Sequence, residues 1–310
     1  MNERVALLLA LLGVCVVSMN TTQFVTQFPA MTGVAPVHAA TVNALPDRAE
    51  RADTMPVAPL FLDTVTAQSF YVSHERPDPR LLLQYNAYET LPLASLTKLM
   101  TALVVLESEP DWDSKVRVTA DDIRGGAKSL LRPGSEVTIE DLWVAMLVGS
   151  DNDASATLAR VVAGSEQSFV ARMNERALAM GLQQTKFIEP SGLHAGNVST
   201  AREFALLART ALHNDQINQT LSQDKASISV SGRQVNLYNT DQRIRYLSGD
   251  NWQFASGKTG YTNAARYTAA TLLRTSDGSE TLVVVLGSDT DTTRVDDVTH
   301  LARWAIQQSR

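Results

Sequence analysis

The chain has 310 residues, 44% of them hydrophobic, with a formal net charge of −6 and one cysteine. That length and apolar content suit one large or two smaller globular units with a sizeable core. Charge is spread along the chain without a basic block, which argues against a nucleic-acid partner. The histidines, His38, His74, His194, His213 and His300, are scattered without His-Glu-x-x-His spacing, which argues against a metallopeptidase.

Val5 to Val17 is an almost unbroken apolar run behind Arg4. Its roughly 13 residues fit the hydrophobic region of a signal peptide better than a membrane span of about 20. A small-residue cleavage signal is present at Val37-His38-Ala39, far from the run, and an uncleaved anchor is the alternative. Leu12-Gly13-Val14-Cys15 matches a lipoprotein signal only loosely, because valine precedes the cysteine. The expected organisation is a signal peptide or N-terminal anchor over 1–40, a flexible linker over 41–58 and a folded domain over 59–310. With Cys15 in the leader, the mature chain has no disulfide, thiol nucleophile or cysteine metal site.

From Leu60 to Glu75 apolar and polar residues alternate, which predicts strands, with another at Leu81 to Tyr85. Pro92 sets the earliest start of a buried helix running from Ser95 to about Glu107. Thr138-Ile139-Glu140-Asp141 is a capping box opening a helix that breaks at Gly149-Ser150-Asp151-Asn152. Further helices are predicted from Ala154 to Val162 and from Ser165 to Met180, and Thr200-Ala201-Arg202-Glu203 caps one more, to about Leu212. Strands return at Ser227 to Val230, Trp252 to Ser256, Arg266 to Leu273 and Thr281 to Leu286. The last is apolar throughout and reads as a central strand covered on both faces. A closing helix carries Val295, Val298, Leu301, Ala302 and Ala305. Strands at both ends with helices between them predict a sheet assembled from both chain ends and an inserted helical lobe.

Ser95 and Lys98 stand three apart, so on a helix they share a face. A serine hydroxyl needs a base to become a nucleophile, and a lysine whose pKa is lowered by burial or a second cation can serve. A backbone N–H at the helix start is available for a developing oxyanion. The spacing alone is weak, since Ser222-Gln223-Asp224-Lys225 repeats it in a polar stretch read as surface. Two further motifs follow Ser95 in order. Ser150-Asp151-Asn152 lies at the helix break, where Ser150 can relay a proton between Lys98 and a leaving amine and Asn152 can hold a substrate peptide group. Lys258-Thr259-Gly260 reads as a strand end, with Lys258 supplying positive charge and Thr259 a donor for a carboxylate. Gly260 lets backbone approach a ligand, and the Tyr261 N–H can complete an oxyanion hole.

These three motifs in this order resemble those of penicillin-recognising serine enzymes, the D,D-peptidases and class A β-lactamases. Pro92 to Ala102, Phe187 to Leu193, and Asn197 to Arg202 resemble low-molecular-mass D-alanyl-D-alanine carboxypeptidases. Lys258 to Ala265 and Asp250-Asn251-Trp252 are most similar to the D-alanyl-D-alanine endopeptidase branch, the penicillin-binding protein 7 type. The chain's end soon after its last helix also resembles that branch, which lacks the extra β-rich domain of many carboxypeptidases. The resemblance runs from about Leu60 to the C-terminus. It implies an α/β fold of the β-lactamase/D,D-peptidase type: an antiparallel sheet from both chain ends, flanked by helices, with an inserted all-helical lobe. It also implies a periplasmic hydrolase of D-alanyl bonds in peptidoglycan stem peptides, acylated by β-lactams at Ser95, with no cofactor. Membrane association through the N-terminal segment is a further expectation. One departure is Arg266, where relatives usually have glycine; an arginine there is expected to crowd the cleft or add charge beside Lys258.

Two alternatives stand beside this reading. A class A β-lactamase holds its hydrolytic water with a glutamate and an asparagine four residues later. Glu189 is followed at that distance by Leu193, so it reads better as a loop carboxylate. A non-catalytic cell-wall-binding protein on the same fold is the second alternative, against which the intact motifs argue.

Overall fold

The run Leu282 to Leu286 is apolar at every position because both its faces are covered. Leu282, Val284 and Leu286 join one buried cluster, and Val283 and Val285 join another. The computed structural model describes residues 60–76, 79–125, 130–249 and 251–308, all within the compact unit Glu50–Arg310. The leader, its cleavage signal, the linker and Asp250 lie outside the described residues. No helix among the described residues is long and apolar enough to cross a membrane.

In chain order, β1 (Ser69–Arg76) and β2 (Arg80–Tyr85) are followed by β3 (Thr90–Pro92) and helix α1 (Lys98–Glu107). The helical lobe continues with β4 (Lys115–Arg117), β5 (Glu136–Thr138), α2 (Ile139–Leu147), α3 (Asn152–Ala163) and α4 (Glu166–Ala179). It ends with β6 (Val198–Thr200), α5 (Ala201–Leu212) and α6 (Asp215–Leu221). A hairpin of β7 (Lys225–Val230) and β8 (Arg233–Tyr238), the single turn α7 (Gln242–Arg245) and β9 (Ser248–Gly249) lead back to the sheet. The chain finishes with β10 (Trp252–Thr262), β11 (Arg266–Thr275), β12 (Glu280–Ser288) and α8 (Asp291–Gln308).

The main sheet has the order β2-β1-β12-β11-β10-β9, antiparallel at every junction. It is built from both chain ends, with β12 central, as the sequence pattern predicts. Helix α8 covers one face through Val295, Val298, Leu301, Ala302 and Ala305, and α5 covers the other. The predicted caps form: Thr138 accepts from the Asp141 N–H at 3.0 Å, and Thr200 from the Glu203 N–H at 3.1 Å.

Several stretches differ from expectation, among them three that the sequence misassigned or missed. Leu60–Thr64 is a 3₁₀ helix, not a strand. The β1–β12 ladder begins at Ser69↔Leu286, and upstream the chain closes its own turn through Val65 N–H to the Leu62 carbonyl. Helix α6 was not predicted from its polar sequence; its two apolar residues, Ile217 and Leu221, stand one turn apart and both are buried. Strand β8 was also missed. Its partner turns through Ser231 and Gly232, both at positive φ (50° and 79°), the geometry of a tight hairpin.

Candidate active site

The serine turn is strained and closely packed. After β3 the chain passes through a 3₁₀ turn, Ala94–Thr97, into α1. Ala94 sits at φ 50°, a left-handed conformation that costs a residue with a Cβ about 1–2 kcal/mol. Leu96, Leu99 and Met100 are fully buried and fix the helix, while Ser95 is half-buried. Strand β10 crosses directly beneath: a Cβ on Gly260 would lie 2.8 Å from Ser95 N and 2.7 Å from Thr268 Oγ1. The glycine is therefore needed for the strand to approach the serine turn, a closer constraint than the ligand approach expected from sequence.

Lys98 is completely buried, and its Nζ has three oxygen neighbours: Ser95 Oγ at 3.1 Å, Asn152 Oδ1 at 2.8 Å and the Ser191 carbonyl at 2.6 Å. Two of these are carbonyl oxygens that only accept. Only Ser95 can also donate. A neutral amine that gives its two hydrogens to Asn152 and Ser191 therefore aims its lone pair at the Ser95 hydroxyl. Burial pushes the Lys98 amine down to about 8, with the Glu189 and Asp151 carboxylates pulling the other way.

The Ser191 carbonyl is held in place by its loop. The Glu189 carboxylate accepts from Ser191 N at 2.7 Å, Ser191 Oγ at 2.5 Å, Gly192 N at 2.5 Å and Asn197 Nδ2 at 2.9 Å. Buried Asn197 closes the loop by accepting from the Ile188 N–H at 2.7 Å and donating to Thr97 Oγ1 at 3.2 Å. Glu189 is thus a loop carboxylate, as read from the sequence, and the structure adds that it organises the backbone N–H groups of Ser191 and Gly192. Gly192 sits at φ 93°, and a Cβ there would lie 1.9 Å from the Ala94 carbonyl oxygen. Exposed His194 accepts from the Gly196 N–H through Nδ1 at 2.9 Å, a local loop contact.

Ser150 lies in the break between α2 and α3, at φ 56°. Asp151 caps α3 by accepting from Ala154 N at 2.9 Å, which places Asn152 in the first turn beside Lys98. The partner of Ser150 differs from expectation. The donor to its hydroxyl is Lys258 Nζ, at 2.9 Å, whereas the three neighbours of Lys98 lie elsewhere. Lys258 is 1% exposed, also donates to the Thr259 carbonyl at 3.1 Å, and is pushed well down by burial and by Lys98.

Lys258, Thr259 and Gly260 lie inside β10 rather than at its end; only its opening residues pair with β9, so the rest of that edge has no strand partner among the described residues. Tyr261 is 52% exposed, and its ring packs on Tyr267 at a centroid distance of 4.4 Å. Arg266 does not crowd Lys258. It pairs with Asp289 at 2.5 Å, reaching from β11 toward the end of β12, the side away from β10.

Ser222 and Lys225, the repeated spacing, fall on the end of α6 and the start of β7 and share no helix face. Sequence reasoning missed Thr240, whose Oγ1 is 3.1 Å from Thr259 Oγ1, and Arg294, whose Nη1 donates to the Gly260 carbonyl at 3.3 Å. Nothing in the sequence marked Thr240. Arg294 carried a readable signal, since it stands four before Val298 and seven before Leu301, on the buried stripe of α8.

Such a site, with a lysine lone pair on a serine at a helix start, defines a serine hydrolase class without a histidine base. Residues 54–290 match the sequence model of peptidase family S11, D-alanyl-D-alanine carboxypeptidase. The chain belongs to this family of serine peptidases. It is 31% identical over 241 residues to a D-alanyl-D-alanine carboxypeptidase of Bacillus subtilis, across 76% of this chain and 61% of that protein. It therefore spans less than two thirds of that relative's length. It is 33% identical over 218 residues to the D-alanyl-D-alanine endopeptidase of Escherichia coli, across 69% of each. A D-alanyl-D-alanine carboxypeptidase structure from Mycobacterium tuberculosis superposes with a TM-score of 0.72 at 27% identity, covering 83% of this chain and 95% of that one. Penicillin-binding protein D2 of Listeria monocytogenes, in its ampicillin-bound form, superposes at 0.68 with 27% identity, covering 78% and 98%.

Proposed function

We propose that this chain is a serine D,D-peptidase that hydrolyses D-alanyl bonds of peptidoglycan stem peptides through an acyl-enzyme on Ser95. The observation that carries the reading is the set of three oxygens around Lys98 Nζ, two of which only accept. Neutral Lys98 takes the Ser95 proton as Oγ attacks the D-alanine carbonyl carbon. Backbone N–H groups of Ser95 and Tyr261 receive the oxyanion. The C–N bond then breaks, and the Ser150 hydroxyl, held by Lys258, passes its proton to the departing amine. It is replenished with the proton that Lys98 took from Ser95, which returns Lys98 to its neutral form. Asn152 holds a substrate peptide group, and Thr259, backed by the charges of Lys258 and Arg294, binds the carboxylate on the leaving side. Gly260 lets the strand run close enough to Ser95 for Tyr261 N–H to serve. Water, deprotonated by Lys98, finally cleaves the ester and restores Ser95.

The same chemistry makes β-lactams covalent inhibitors, because a ring-opened lactam occupies the ester position of the substrate. Export to the periplasm, with residues 1–40 as a removed leader or retained anchor and 41–58 as a linker to the domain at 59–310, completes the reading. The β-lactamase alternative loses ground because the Glu189 carboxylate is occupied by loop N–H groups. The test is product analysis: wild-type protein releases D-alanine, or a peptide with a new free amine, from stem peptides, and Ser95→Ala releases neither. Turnover by the alanine variant overturns the assignment.

A further inference from the structure

The turn that follows β8 carries an exposed threonine between two buried, anchored neighbours, Asn239 and Asp241. Asn239 Nδ2 donates to the Leu221 and Gln223 carbonyls, both at 3.0 Å, and its backbone N–H donates to the Asp224 carbonyl at 2.8 Å. Asp241 accepts from Arg245 Nε at 3.0 Å. Arg245 in turn donates to the Leu221 and Ser222 carbonyls at 2.7 and 2.6 Å. Both neighbours are thus fastened to the end of α6, which fixes the position of Thr240 between them. Its Oγ1 stands 3.1 Å from Thr259 Oγ1 and 3.5 Å from Lys258 Nζ.

The direction of these hydrogen bonds decides what the contact does. A hydroxyl has one hydrogen to give. If Thr259 gives its hydrogen to Thr240, none remains for a substrate carboxylate, which only accepts. If Thr240 gives its hydrogen to Thr259, the Thr259 hydrogen is free for the substrate. Lys258 selects between the two. As an ammonium it has three N–H groups, and three oxygens stand around it: Ser150 Oγ at 2.9 Å, the Thr259 carbonyl at 3.1 Å and Thr240 Oγ1. An ammonium donates and never accepts, so Thr240 turns its oxygen to Lys258 and its hydrogen to Thr259. At 3.5 Å the lysine orients that hydroxyl through its charge more than through a short bond.

We propose that Thr240 is a positioning residue for the leaving-side carboxylate: its hydroxyl, oriented by Lys258, holds the Thr259 hydroxyl as a donor toward the substrate. The proposal rests on the acyl-enzyme reading of Ser95 and on Thr259 as the carboxylate ligand. Thr240 acts through Thr259, so its effect vanishes when Thr259 has no hydroxyl.

The test is a double-mutant cycle on a stem peptide ending in D-alanyl-D-alanine, read as kcat/KM for release of D-alanine. Thr240→Val keeps the shape of the side chain without the hydroxyl, and Thr240→Ser keeps the hydroxyl. Thermal unfolding midpoints check that each variant is folded. The expected result is a loss of roughly tenfold in Thr240→Val, near wild-type values in Thr240→Ser, and a larger loss in Thr259→Val. The double variant Thr240→Val/Thr259→Val is expected to match Thr259→Val alone. A double variant that loses the same further factor shows that Thr240 acts independently of Thr259 and overturns the proposal. So do equal losses in Thr240→Val and Thr240→Ser, wild-type turnover in Thr240→Val, or wild-type turnover in Thr259→Val. A wild-type protein that releases no D-alanine and takes no penicillin label overturns the parent reading, and this one with it.

Discussion

Gly192 lies against Ala94 so closely that its missing Cβ would sit 1.9 Å from the Ala94 carbonyl oxygen. The contact joins two segments nearly a hundred residues apart, the serine turn and the loop that presents the Ser191 carbonyl to Lys98. Gly192→Ala meets both a clash with backbone and a φ of 93°. The expected effect is destabilisation by more than about 3 kcal/mol and loss of penicillin labelling. Urea unfolding and labelling together check it; a variant with wild-type stability contradicts the packing described.

Lys98 makes a pH prediction. Its amine is pushed down to about 8 by burial, and only the neutral form accepts the Ser95 proton. The acylation rate is expected to rise about tenfold per pH unit below 8 and to level off above it. Lys98→Met is expected to label roughly 10²–10⁴-fold more slowly. Stability follows the same group. Between about 8 and the ordinary lysine value of 10.5, the unfolded chain holds a proton that the folded one has lost. Stability is therefore gained as pH rises through that window and is lost as pH falls through it. Rapid-mixing acylation and thermal unfolding across pH 6 to 10.5 measure both.

Glu189 separates the peptidase reading from the β-lactamase one. Its carboxylate holds the Ser191 and Gly192 N–H groups rather than facing an open water position. Glu189→Gln is expected to slow acylation and lower stability by about 1–3 kcal/mol, because charge-assisted loop bonds are weakened. A variant that acylates at the normal rate and then fails to release the acyl group contradicts this account.

Arg266 is a departure whose side chain finds a partner in the structure. It occupies φ 54°, which explains why glycine suits the position, and its charge is directed to Asp289. That pair is exposed and contributes little, whereas the backbone strain is relieved by glycine. Arg266→Gly is expected to stabilise the protein by up to about 1 kcal/mol with unchanged acylation, read from denaturation midpoints and labelling rates.

The site residues legible in the sequence were those whose chemistry resides in the side chain and whose spacing is local. Ser95 and Lys98 share a helix face, and Asn152 follows a cap at Asp151. Less legible was everything supplied by backbone or by distant packing. The Ser191 carbonyl can come from any residue type, so nothing in the sequence distinguishes it. The pairing of Ser150 with Lys258 spans 108 positions and depends on where β10 passes the α2–α3 break. The same division holds for the fold. Continuous apolar burial marked β12, and capping residues marked α2 and α5. Strand β8 and helix α6 carry only two strongly apolar side chains each, and tertiary contacts decide their form.

The central claim is that Lys98 activates Ser95 to form an acyl-enzyme. The most direct measurement is intact-mass and peptide analysis of the domain after incubation with penicillin, beside Ser95→Ala and Lys98→Met. The account predicts one penicilloyl adduct on the Ser95 peptide in the wild type, none in Ser95→Ala, and much slower formation in Lys98→Met. An adduct on another residue, or labelling that proceeds at the wild-type rate without Lys98, would contradict it.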